Sequence, residues 1–119
     1  MKVKKYGPVR CLNLHFDLFG VEIVNFITTP KYTDVSKYTR FEFEDYPDEN
    51  ALGYFHSSKD FVSIILLKKT AGIDLLTHEV SHLVMYMLDR AGIPTGPIND
   101  ELIAYLMGYF VSKGSKILK

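Results

Sequence analysis

With 119 residues, 47% hydrophobic and 24% charged, the chain has the size and composition of a single domain, residues 1–119, around one core. Fourteen basic residues balance fourteen acidic ones, so net charge supplies no electrostatic footprint for nucleic acid. No uninterrupted apolar stretch has membrane-spanning length, and Asn13, His15 and Asp17 break up any signal-peptide core behind the N-terminal lysines, so the expectation is a cytoplasmic protein with no membrane partner.

Residues 9–18 (VRCLNLHFDL) alternate with period two, as a half-buried strand does. Cys11 is the only cysteine, which rules out an internal disulfide, and its place in this run predicts a reduced core or sheet residue. Phe19-Gly20 punctuates, and residues 21–28 (VEIVNFIT) complete a predicted hairpin. Residues 30–40 fit either a loop or a short helix started by Thr33 or Asp34. The alternation Phe41-Glu42-Phe43-Glu44 predicts a further extended segment, and residues 46–50 an exposed turn-rich loop. Residues 51–57 and 61–67 flank Ser58-Lys59-Asp60 as a second hairpin, and the continuous apolar run 64–67 predicts burial on both faces.

The period then changes. Apolar residues recur at helical spacing from Leu75 to Leu88, which predicts a helix over about 71–90, capped by Thr70, with Asp74 in its first turns and Gly92 as its stop. Pro94 and Pro97 stiffen the connection, and Asn99 or Asp100 is placed to cap a second helix reaching about Ser112. Strands followed by helices argue an α+β fold: a twisted β-sheet with two C-terminal helices.

The chemistry lies in His78-Glu79-Val80-Ser81-His82, an H-E-x-x-H motif within the first of these helices. Residues four apart lie about 40° apart around the axis and roughly 6 Å apart along it, so both imidazoles can reach one zinc ion. Glu79 is rotated by about 100°, which suits a general base acting on a water beside the ion better than a ligand. The flanking Leu76, Val80, Leu83 and Val84 predict that the histidines are buried. For a third ligand the candidates are Glu101, Asp100, His15 and His56. Glu101 is favoured because its helix face also carries Ala104 and Gly108, small residues that admit a close helix neighbour. Tyr105, Tyr109, Tyr86 and His56 are candidates for oxyanion or substrate contact, against the ordinary core role of aromatics at helical spacing. Asp74, one turn before His78, is a candidate to orient its ring, against a plain helix-terminus charge.

HEVSH, then eighteen intervening residues, then Glu101 in NDELIAYL resembles the gluzincin branch of zincin metallopeptidases. The E-x-x-A-Y form is similar to small metallopeptidase-like domains of phages and bacterial mobile elements. The likeness spans roughly residues 51–112; residues 1–50 resemble nothing named here. It implies a small zincin-like core, one Zn2+ on His78, His82 and Glu101, and hydrolysis of a peptide or protein substrate with Glu79 as general base. One departure stands out: thermolysin-like enzymes commonly carry an Asp one turn after the glutamate ligand, where this chain has Tyr105.

Three functions compete. A zinc peptidase would receive its substrate as a strand along residues 51–57. A non-catalytic zincin-like binding protein, an effector or assembly factor of a phage or mobile element, would keep zinc for structure alone. A metal-free interaction domain would need both histidines to be ordinary helix residues. The oligomeric state stays open.

Overall fold

The computed structural model describes residues 2–43, 47–48, 50–58 and 61–119; at Asp17, Leu18 and Glu22 it describes the backbone alone. The strands are β1 (Lys4–Tyr6), β2 (Val9–Leu18), β3 (Val21–Thr29), β4 (Gly53–Ser57) and β5 (Phe61–Leu67). Helix α1 (Tyr32–Tyr38) follows β3, and α2 (Ile73–Arg90) and α3 (Asp100–Gly114) close the chain with a 3-10 turn at Ser115–Leu118. The sheet order is β1-β2-β3-β5-β4, antiparallel throughout except for the parallel β3–β5 pair. This is an α+β domain in which β4 is an edge strand.

Both predicted hairpins form. Leu18 pairs with Val21 across a two-residue turn, with positive φ at Phe19 (57°) and Gly20 (74°). Such a turn matches the right-handed twist of the flanking strands, and glycine enters that backbone region without a Cβ penalty. Alternation then sorts side chains between two cores. Leu12, Leu14, Val24, Phe26, Val62, Ile64 and Leu66 face α2 and α3. Cys11, Ile27, Ile65 and Leu67 face the other way, where Tyr32 and Val35 of α1 cover them. Central β5 thus contributes to both layers, as its continuous apolar run predicts.

Several local expectations fail for identifiable reasons. β1 has exposed residues throughout, so it left no burial pattern to read. Residues 41–43 form no strand; the Phe41 and Phe43 rings pack together instead, centroids 4.7 Å apart, against the α1-side core. Glu44, Tyr46, Glu49, Lys59 and Asp60 lie outside the described residues. α1 begins at Tyr32, before Thr33 and Asp34. Thr70 does not cap α2: its hydroxyl donates to the Leu67 carbonyl (3.3 Å), and the cap position falls on Gly72, with no side-chain bond. Nor does a side chain cap α3; the Asn99 amide donates instead to the Pro94 carbonyl across the connection.

The end of α2 follows the sequence closely. Gly92 has φ 70°, its N–H donates to Asp89 O (3.0 Å), and the N–H of Ile93 donates to Leu88 O (2.9 Å). That is a Schellman closure, which satisfies the last carbonyls of the helix and turns the chain toward α3.

Cys11 is buried at the α1-side core, and desolvation pushes its thiol up to about 11. An acid whose folded pKa lies above its unfolded value stabilises the fold fully below the unfolded pKa and loses that contribution as pH rises through the folded one. Wild type is therefore expected to lose stability between about pH 9 and about pH 11 relative to Cys11→Ala, as read by denaturant unfolding at both ends. Equal pH slopes in the two proteins would contradict the burial of this thiol.

Candidate metal centre

α2 presents two stripes. Leu76, Glu79, Val80, Leu83, Val84, Met87 and Leu88 are buried against the sheet and α3. Asp74, His78, His82, Met85 and Asp89 form an exposed stripe on the opposite side. The two histidines are thus exposed, contrary to the burial their neighbours predict. Val80, Leu83 and Val84 lie about 140–240° around the helix from His78, so their burial says nothing about its side of the axis.

The imidazoles nevertheless converge. His78 Nε2 and His82 Nε2 are 3.3 Å apart, with ring centroids 4.9 Å apart and planes at 80°. Two nitrogens bound at about 2.0–2.1 Å in a tetrahedral set stand about 3.3 Å from each other, so the pair already has the spacing of two zinc ligands. Being exposed, neither ring depends on the other for a hydrogen-bond partner, since water can serve both.

Glu79 lies about 100° around the helix from His78, on the buried stripe, and is only 6% exposed. Burial raises its carboxyl above the usual range, and the neighbouring His82 and His78 oppose the rise. Such a carboxylate holds a proton more readily than an exposed one, as a general base must. With the two imidazoles it forms a group whose ligand atoms lie within 4.8 Å of one another, a set able to hold a metal ion.

Gly53, the first residue of β4, makes room for that carboxylate. A Cβ placed there would meet Glu79 Oε1 and Cγ at 3.2 Å each. Sequence reading passed over this residue. The available signal was an isolated glycine inside a strand pattern, which marks a close approach.

Other candidates are dispersed. Glu101 is exposed in the first turn of α3, as is Asp100, and both stand outside the three-residue group. The face carrying Glu101, Ala104, Tyr105 and Gly108 is exposed, and a Cβ at Gly108 would meet nothing within 4 Å. The small residues of this face therefore accommodate no neighbouring helix; α3 packs through Leu106, Phe110 and Gly114. His56 lies on the α1 side of the sheet, its ring centroid 5.1 Å from Phe41 and 6.1 Å from Tyr54. His15 alternates with the inward Leu14 and Phe16, which places it on that far face too. Neither histidine is on the His78 side.

Among the tyrosines, Tyr105 is 69% exposed and stacks on half-buried Tyr109, whose ring also packs against Phe16 and Phe110. Tyr86 packs on Phe55, and its hydroxyl accepts from Arg90 (3.0 Å). Asp74 sits exposed in the first turn of α2, suited to the helix dipole.

Among the described residues no helix is long and apolar enough to cross a membrane. Comparison with protein-family models, curated proteins and solved structures returns no match for this chain.

Proposed function

We propose that this chain is a zinc-dependent peptidase of the cytoplasm, with His78 and His82 as ligands, Glu101 as the third ligand and Glu79 as general base. The observation that carries the reading is the 3.3 Å spacing of the two Nε2 atoms, with the buried Glu79 carboxylate grouped within 4.8 Å of them. Zinc held by these residues would supply Lewis acidity for the hydrolysis. Glu79 takes the proton of the attacking water and passes it to the leaving amine. Gly53 leaves free the space that this carboxylate occupies. β4 is an edge strand starting at Gly53, so an extended peptide pairing with it would run past Glu79. Glu101 has the freedom of an exposed side chain on a helix packed against α2.

A second reading is a binding protein with structural zinc, which would use the same two imidazoles and need no base at Glu79. Elemental analysis tests the metal assignment common to both. Wild type is expected to carry about one equivalent of zinc, and His78→Ala and Glu101→Ala to lose most of it. Full retention in Glu101→Ala would move the third ligand elsewhere, and absence of zinc from reconstituted wild type would overturn the proposal.

A further inference from the structure

The sheet face opposite α2 is only partly covered. Beyond the C-terminal end of α1 a groove of about 780 Å3 lies over β2 and β3, within the range of small-molecule sites. Its floor is apolar at Ile23 and Ile27 but is crossed by a polar rung. Asn13 pairs in register with Asn25, and Asn25 with Ser63. The Asn13 amide donates to Asn25 Oδ1, and Asn25 Nδ2 donates to Ser63 Oγ (3.1 Å).

Asparagine is disfavoured in strands, and a rung of this kind adds little stability over apolar residues of the same shape. It does provide hydrogen-bonding capacity. Each carboxamide has two N–H groups and a carbonyl, and the rung uses one N–H of each. Among the described residues nothing else bonds the Asn13 carbonyl or the second N–H of either residue, so these groups are available to solvent or to a ligand.

The walls narrow the choice. Phe41 and Phe61 pack edge to face, centroids 6.3 Å apart and planes at 68°, and with Tyr38, 40% exposed, give the groove an aromatic side on which a flat ring can lie. Lys37 and Arg40 also line the groove, and among the described residues its lining holds no carboxylate. In a chain of zero net charge, that is a local cationic site.

We propose that this groove binds a small anion carrying a planar ring. Asn13 and Asn25 read polar atoms on the ring edge, the aromatic side of the groove packs against the ring, and Arg40 with Lys37 binds its carboxylate or phosphate. The site is on the far side of the sheet from His78 and does not depend on the metal reading.

Titration of the 15N-labelled full chain, followed through the asparagine side-chain amides, tests it. AMP serves as the phosphate probe and indole-3-acetate as the carboxylate probe; adenosine and inorganic phosphate each lack one half. At least one complete probe is expected to shift the Asn13 and Asn25 amides saturably, and the tighter of the two identifies the anion. Adenosine and phosphate should bind about tenfold more weakly or worse, and Arg40→Ala should weaken the complete probe about tenfold. Asn25→Leu should weaken it similarly while keeping a folded spectrum. No saturable shift with either complete probe, phosphate binding as tightly as AMP, or unchanged affinity in Arg40→Ala would each overturn the proposal.

Discussion

Glu79→Gln is expected to lower peptide hydrolysis by about 10²–10⁴-fold, the usual worth of a general base, while leaving zinc content at the wild-type level. The substitution keeps shape and removes proton affinity. Its amide fills the same space beside Gly53, so the backbone of β4 need not move. The two imidazoles are untouched, because Glu79 lies on the buried stripe of α2 and they lie on the exposed one. Hydrolysis of a peptide library and metal analysis on one preparation separate the two properties. Undiminished hydrolysis in the variant would remove Glu79 from the mechanism. Loss of zinc along with activity would instead make it a ligand.

Phe110→Ala is expected to cost about 3–5 kcal/mol, a large share of the roughly 5–15 kcal/mol that holds a small domain together. Phe110 is fully buried where α3 meets the sheet, edge-on to Phe16 at 4.9 Å and to Tyr109 at 5.3 Å. Nearby packing leaves little slack: a Cβ at Gly114 would come within 2.4 Å of the Phe26 ring. A cavity at Phe110 therefore loses contacts that a densely packed surround cannot easily restore. Denaturant unfolding measures the effect. A loss below about 1 kcal/mol would mean that α3 is not anchored by this ring. Because α3 carries Glu101, weakened zinc binding in a still-folded Phe110→Ala would also link the docking of this helix to the metal site.

Local periodicity made much of the fold legible. Two hairpins, the doubly buried β5, α2 with its Gly92 closure, and α3 each follow from period-two or helical patterning plus turn residues. The same holds for the core of the site. In H-E-x-x-H, helix geometry alone fixes the relation of His78 to His82 and turns Glu79 aside from both. What escaped is whatever depends on residues distant in sequence. The parallel β3–β5 pairing puts β4 at the edge, and no local pattern encodes that choice. Gly53 meets Glu79 only because the sheet brings β4 under α2. His15 and His56 are removed from the site by strand parity within that sheet.

Sequence alone therefore determined the chemistry available, an imidazole pair and a carboxylate on one helix, because their spacing lies within a turn or so of backbone. Tertiary structure decided their environments: histidines in solvent, glutamate in the interior, Glu101 exposed, and an asparagine rung over an open groove. Burial and proximity between elements come from packing the whole chain, and packing selects among many arrangements that the same local patterns permit.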